Sequence, residues 1–567
     1  MTFISFLQKP PLSTALIETF AQGYDGKSLR KDLTAGLIVS LVALPLSMAL
    51  SVAVGLPPQH GLYTAIVAGI VAALFGGSRS QVTGPTAAFV VIVAPIIADF
   101  GLRGIVWCQI LAGAMLIALG LARLGKVIAY VPYSVTIGFT AGIAVSIAVI
   151  ALNDLLGVPG VSTGHLPHKV AVLAENIMSF HPATLGVGLF ALAVMFFLPR
   201  FAPKIPSAIV GIAVATLASI FLQRHGFDIA TIGSKFSFID AQGATQHGIP
   251  PMPPRLHVPG LSSDPVYAWP SLAELSAWFM PAVVIALLGG LESLLSATVA
   301  DSMTGTRHNP NAELNGVGLA NVFSGMFLGI PATGAIARTA TNINAGSVSP
   351  IASVTHAVLL LFFMVSLAPL IAYVPMSALS ALLLMTAWRM SHARQFVHLI
   401  RRSSKSDAAV ALVCFALTVM IDMVAGVVSG VVLAILLFIK RMMDATEVSH
   451  HHADSNATEY VLPAGVMLLR FDGPLFFGTA NKAFSMRPEL LTRDITHVVV
   501  DLGDVSMIDA TAMNMLEDYL AEIVNGKRTL TVCAAGKISA RIRKALDITL
   551  LSRIDFVDTP ASVLPRR

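Results

Sequence analysis

Two stretches of this chain, Leu33–Ser78 and Thr339–Trp388, contain no Asp, Glu, Lys or Arg. About 20 apolar residues cross a bilayer as a helix. Each stretch is far longer than that and must fold back on itself in lipid. The rest of the chain agrees. Only 12% of its residues are charged, against about 25% in an average soluble domain, and the mean hydropathy is +0.78. The net charge of +5 comes without the clustered basic residues and aromatic platform that a nucleic-acid partner needs. Cys108, Cys414 and Cys533 have no metal or disulfide spacing. No nucleophile–base pair, phosphate-binding glycine loop or metal cluster points to an enzyme, and none calls for a cofactor.

From Asp32 to Arg441 the hydropathy pattern predicts about fourteen spans. Placing Lys27, Arg30 and Lys31 in the cytoplasm and alternating sides puts the clusters at Arg123/Lys126, Arg200/Lys204 and Arg401/Arg402/Lys405 inside as well. Arg103 is the exception. An even number of spans makes both termini cytoplasmic. The expected parts are an N-terminal segment (1–31), a transport domain (32–443), a polar linker (444–458) holding His450, His451 and His452, and a soluble α/β domain (459–567). A His triplet in such a linker reads as a solvated tract.

Two spans are short and interrupted by Gly and Pro: Gln81-Val-Thr-Gly-Pro-Thr-Ala-Ala-Phe89 and Gly329-Ile-Pro-Ala-Thr-Gly-Ala-Ile-Ala-Arg-Thr339. The first is third from the start and the second is third in the second group of seven. Interrupted segments at matching places in two halves mark a transporter's binding site, because irregular backbone at membrane depth persists only where protein or a cavity satisfies it. An odd number of spans per repeat inverts the second repeat, so the two segments approach from opposite sides. A helix that begins at mid-bilayer leaves its first N–H groups unpaired, with about half a positive charge there. Two such ends facing each other make an anion site. The residues at those ends are Thr86 and Ala87, and Ala335, Ile336 and Ala337, with Arg338 as a full charge nearby. Glu292, in Gly289-Gly-Leu-Glu-Ser-Leu-Leu-Ser296, is an acid in the middle of a span and a candidate proton carrier. Ser296 shares its helix face, and a sodium site would use similar oxygens. A structural hydrogen bond at Glu292, or glycines that only shape a tight crossing, are the plainer readings of the same residues. Asp422 reads as a group at a span end, and Pro45 as a kink in the first span.

These residues resemble the SulP anion-permease family. The resemblance rests on Gly61-Leu-Tyr-Thr-Ala-Ile-Val-Ala-Gly69, Val82-Thr-Gly-Pro-Thr-Ala-Ala-Phe89, Glu292-Ser-Leu-Leu295 with Met303-Thr-Gly-Thr-Arg-His-Asn309, and Gly329–Asn342. Val505-Ser-Met-Ile-Asp-Ala-Thr511 resembles the signature of a STAS domain. The resemblance implies an α-helical polytopic fold of seven plus seven inverted spans, divided into core and gate, with a cytoplasmic STAS domain. It also implies a homodimer in a bacterial inner membrane and an elevator-like motion. It places substrate at Thr86, Ala87, Phe89, Ala337 and Arg338, with Glu292 close by. Family substrates are sulfate, bicarbonate, chloride and C4-dicarboxylates. Glu at position 292 resembles the proton-coupled branch; sodium-coupled members tend to have Asp there and a hydroxyl residue where this chain has Ile336 and Ala337. STAS domains resemble anti-sigma-factor antagonists with a phosphorylated serine, and the matching loop here offers Thr511 without the usual serines. That implies a regulatory partner. An anion exchanger or uncoupled channel, a nucleobase permease and a non-transporting sensor are the competing readings.

Overall fold

A computed structural model describes residues 12–128, 132–158, 166–202, 205–239, 244–421, 423–451, 459–484 and 494–566. Lys204, Asp422 and His452 lie outside the described residues. The chain divides into two compact units, 1–431 and 432–567.

The first unit is helical. Its principal elements are α1 (Gly26–Ala53), α2 (Pro58–Phe75), β1 (Thr83–Gly84), α3 (Ala87–Leu121), α4 (Tyr133–Leu156), α5 (Pro182–Phe201) and α6 (Ser207–Arg224). They continue with α7 (Leu272–Thr304), α8 (Pro310–Met326), β2 (Thr333–Gly334), α9 (Ile336–Asn344), α10 (Ile351–Ile371), α11 (Met376–Met390), α12 (Ala393–Arg402) and α13 (Lys405–Met420); α14 (Met423–Asp444) spans the boundary at residue 431. Nine described helices are long and apolar enough to cross a membrane. The hydropathy pattern divides the chain more finely for two reasons. Helix α3 holds two apolar segments on either side of Gly101, whose backbone is non-helical. Helices α8, α9, α11 and α13 are shorter than a full crossing. Helix α1 continues through Pro45.

The helices pack in two groups. In one, α3 lies on α7 and α8, α2 on α8 and α10, and α1 on α10. In the other, α4 lies on α11 and α13, and α5 on α6 and α11. Small residues set the crossing of α3 and α8. A Cβ on Gly113 would stand 2.5 Å from the Gly318 carbonyl, and one on Gly318 would stand 2.7 Å from the Gly113 carbonyl. Without a hydrophobic difference between lipid and side chain, such close approach is what holds helices together.

The second unit carries a five-stranded sheet in the order β3 (Glu447–His451), β4 (Val466–Asp472), β5 (His497–Asp501), β6 (Thr529–Cys533), β7 (Ile554–Val557). Strand β3 is antiparallel and the others are parallel. Helices α15 (Phe477–Ala483), α16 (Ala510–Asn525) and α17 (Gly536–Ala545) connect them. The strands alternate as a sheet covered on both faces requires. Met467, Leu469 and Phe471 join the core with Leu516 and Leu520 of α16, while Leu468 and Val499 point to Tyr460, Leu462 and Leu564. Residues 447–451 read as linker in the sequence because they are polar; they form the edge strand, which needs backbone pairing rather than apolar side chains.

Candidate functional site

The two interrupted segments meet. Strands β1 and β2 pair antiparallel, Thr83 opposite Gly334 and Gly84 opposite Thr333. Antiparallel pairing sends the chains away in opposite directions. Helices α3 and α9 therefore leave the pair oppositely, each with its N-terminus at the junction. Thr86 and Ala335 are their N-cap residues, both extended, and neither end receives a side-chain cap. Donors that a Ser or Asp usually occupies are thus left without one at both ends.

Both glycines of the paired Thr-Gly steps leave room for the end of a long side chain. A Cβ on Gly84 would lie 2.8 Å from Arg338 Nη1, and one on Gly334 would lie 2.2 Å from Gln81 Nε2. The buried strand backbone is bonded by side chains from the surrounding helices, as membrane depth demands. Ser293 Oγ of α7 accepts from Gly334 N at 3.0 Å and lies 2.8 Å from Thr333 Oγ1, which in turn donates to the Gly289 carbonyl at 2.9 Å. Thr64 Oγ1 of α2 accepts from Ile330 N at 2.7 Å. Asn321 of α8 holds Ala332 at both its N–H and its carbonyl, at 2.9 and 2.8 Å. On the β1 side, Val82 N donates to Thr339 Oγ1 at 3.1 Å, and Asn342 Nδ2 donates to the Ser80 carbonyl at 2.8 Å. Glu313 accepts from Gly77 N, Ser78 N and Gln81 Nε2 at 2.9, 3.0 and 2.6 Å.

The residues read from the sequence fall in two places. Thr86 Oγ1 donates to Glu292 Oε2 at 3.0 Å, so the middle of α7 touches the start of α3. Glu292 is buried, Thr86 half-buried and Ala87 buried beside it. Across the junction, Ile336 is 43% exposed and Ala337 is also exposed, while Ala335 is buried. These six positions surround the helix ends. The other three lie behind them. Arg338 is only 2% exposed, and its Nη2 donates to the Pro85 carbonyl at the entry to α3. Ser296 is buried and donates to Thr339 Oγ1 at 3.2 Å. Phe89 is buried with its ring against α7, since a Cβ on Gly289 would lie 3.5 Å from its Cζ. Arg338 therefore ties the two segments through Nη2, while its Nε and Nη1 are buried with no hydrogen-bond partner among the described residues. Ser293, Thr333 and Thr339 are supports that the sequence reading passed over. Their signal was the hydroxyl residue beside each marked position.

In the second unit Thr511 is exposed in the first turn of α16. Asp509 caps that helix, accepting from Ala512 N at 2.8 Å and also from Phe477 N at 2.9 Å. Nearby, Arg470 pairs with Asp504 and lies 3.9 Å from Asp501. The Arg470 side chain holds the Asp504 carboxyl below its usual range, whereas burial pushes Asp501 up.

With this geometry established, the comparisons are specific. Residues 29–414 match the sulfate permease family and residues 458–561 the STAS domain. "Putative sulfate transporter YvdB" of Bacillus subtilis (strain 168) is 36% identical over 511 residues, 89% of this chain and 92% of that protein. "Bicarbonate transporter BicA" of Picosynechococcus is 29% identical over 545 residues, 91% of each chain. The solved transmembrane domain of a cyanobacterial BicA superposes with a TM-score of 0.59 at 27% identity, covering 73% of this chain and 98% of that one. The fold also matches murine Slc26a9, an anion transporter in its inward-facing state, with a TM-score of 0.81 at 17% identity over 96% of this chain and 92% of that one. A family match over most of the membrane unit, a STAS match over the second and a fold shared across both make this chain a member of the sulfate permease family.

Proposed function

We propose that the protein is a secondary active transporter that moves a small anion together with a proton. The observation that carries this reading is the antiparallel β1–β2 pair, which turns two uncapped helix N-termini toward one another beside Glu292. Each end contributes about half a positive charge, so an anion between them meets donors from both repeats. Thr86, Ala87, Ala335, Ile336 and Ala337 form its surround, Arg338 adds a positive field from behind, and Phe89 backs the start of α3. Glu292, bonded to Thr86 on that surround, carries the proton; Ser296 braces the α7 segment around it. The helix group containing α3, α7 and α9 slides against the group containing α4, α5 and α11, in an elevator-like cycle. The membrane is the bacterial inner membrane, with both termini cytoplasmic and the protein a homodimer. The second unit takes a regulatory partner, with Thr511 as its acceptor for phosphate.

Sulfate and bicarbonate are the candidate anions, since relatives named for each align over most of both chains; a C4-dicarboxylate is the third. The test is uptake into proteoliposomes of labelled sulfate, bicarbonate and succinate at two external pH values. Symport predicts faster uptake of one anion at the lower external pH, without a counter-anion inside. A strict requirement for internal anion, with no response to the pH gradient, would make the protein an exchanger; uncoupled current would make it a channel.

A further inference from the structure

The membrane unit carries a second feature, remote from the helix ends. An apolar groove of about 470 Å³ runs between α5 and α11. Its walls include Leu189, Leu192 and Phe196 of α5 and Leu384, Met385 and Trp388 of α11. Helices α5 and α11 run side by side in the same direction here. Gly188 abuts Ser377, while Phe196 faces the groove with Trp388, so both helix C-termini lie at one end.

That end is basic. Arg200, in the last turn of α5, folds back so that its guanidinium lies 4.7 Å from the Phe196 ring centroid and 5.2 Å from that of Phe197. Arg389 is exposed beside Trp388 in the last turn of α11. Helix α12 follows directly. It buries Leu399 and sets Phe396 against Phe415 of α13, while Arg394, His398, Arg401 and Arg402 line a surface cavity of about 630 Å³. Arg200, Arg389, Arg394, Arg401 and Arg402 form no ion pair with any described residue. A helix with an apolar anchor and a basic outer face, placed next to an exposed Trp, has the composition of a segment lying at the lipid headgroups.

We propose that this groove and its basic end form a binding site for one anionic phospholipid: an acyl chain lies between α5 and α11, and Arg200, Arg389 and Arg394 hold the phosphate. Charge complementarity selects the occupant. A soluble anion makes no use of the apolar walls, and a zwitterionic lipid brings its phosphate with a headgroup cation that the arginines repel. The other basic residues of α12 extend the same field along the inner leaflet. The site does not depend on the transport cycle proposed above.

The test is native mass spectrometry of the full-length protein in detergent, titrated with phosphatidylglycerol and, separately, phosphatidylcholine. The wild type retains phosphatidylglycerol more tightly. Each arginine near an anionic headgroup is worth roughly a fivefold change in affinity, so Arg200→Gln/Arg389→Gln/Arg394→Gln lowers phosphatidylglycerol binding about hundredfold while phosphatidylcholine binding changes little. Ala193→Trp, an exposed position on the groove wall, weakens both lipids and serves if the triple variant fails to fold. Millimolar glycerol phosphate leaves the lipid bound. Unchanged phosphatidylglycerol affinity in both variants, displacement by glycerol phosphate, or a change in the monomer–dimer balance without lipid loss would each overturn the proposal, the last by giving the groove to a second copy of the chain.

Discussion

On the symport reading proposed above, Glu292→Gln separates binding from coupling. Glutamine has the shape of glutamate and keeps an oxygen to accept from Thr86, a contact of 3.0 Å. It cannot exchange a proton. Glu292 forms no ion pair with any described residue, so the substitution leaves no stranded cation, and fold stability changes by less than about 1 kcal/mol. The functional consequence is large. With one proton per anion, an imposed gradient of two pH units supplies about 2.7 kcal/mol, enough for roughly hundredfold accumulation. Proteoliposomes loaded at pH 7.5 and diluted to pH 5.5, with the membrane potential clamped, provide the assay. Wild-type vesicles accumulate the labelled anion; Glu292→Gln vesicles reach only equal concentrations inside and out. Exchange of internal unlabelled for external labelled anion persists in the variant, because the helix ends still bind. Accumulation by the variant at the wild-type level would remove Glu292 from the coupling step. Loss of both exchange and accumulation in a well-folded variant would make it a binding residue instead.

Arg338→Lys keeps the charge but loses the planar fork that covers Gly84 and reaches Pro85, and the two groups are not interchangeable at such a site. Transport and melting temperature should both fall, whereas an arginine acting by charge alone would leave lysine nearly as good. Gly113→Ala puts a Cβ 2.5 Å from the Gly318 carbonyl, and overpacking of this kind costs about 1–3 kcal/mol; a thermal melt followed by tryptophan fluorescence reads it. Arg470→Met removes the cation that holds the Asp504 carboxyl down and partly offsets the upward push of burial on Asp501. Both carboxyls then sit higher in the fold than with Arg470, so stability is lost above the unfolded carboxylate range, by about 0.5–1 kcal/mol after solvent screening, and the loss disappears as pH falls below about 4. Hydrogen exchange of the β4 and β5 amides at pH 4 and pH 8 measures it.

The broken spans were legible because Gly and Pro in an apolar run are costly unless something needs them. Their pairing was not. Strands of two residues carry no alternation to read, and the partners Thr83 and Gly334 are joined only through the tertiary fold. Helix periodicity places Ile336 and Ala337 on different azimuths from Arg338 and Thr339, but not which azimuth faces the opening. That depends on β1, α1 and α7 packing against α9. Charge at membrane depth pointed the sequence reading to Arg338, but its near-complete burial and its bond to the Pro85 carbonyl were not legible there. In the second unit, β4, β5 and β6 announced themselves by β-branched and apolar runs. Strand β3, with Glu447, Ser449, His450 and His451, did not, because an edge strand is held by backbone bonds that side-chain chemistry does not record.

The hydrogen bonding of Arg338 bears on how the proposed anion site would release what it binds. A guanidinium in direct contact with a carboxylate- or phosphate-like anion makes two parallel charge-assisted bonds, and a substrate held that way leaves slowly. Here only Nη2 is engaged, on the Pro85 carbonyl, while Nε and Nη1 have no hydrogen-bond partner among the described residues, so in the proposed site an anion would meet backbone donors of two helices beside a guanidinium with one arm already held. The helix ends supply partial charges, enough to replace some hydration without a full ionic bond. The same arginine also fixes the relative position of those ends, because it lies over Gly84 of one segment while rooted in the other. One side chain thus sets both the geometry of the donors and the upper limit of their attraction. In the carrier proposed above, releasing Nη2 from Pro85 toward the anion would strengthen binding and loosen the pair at the same time.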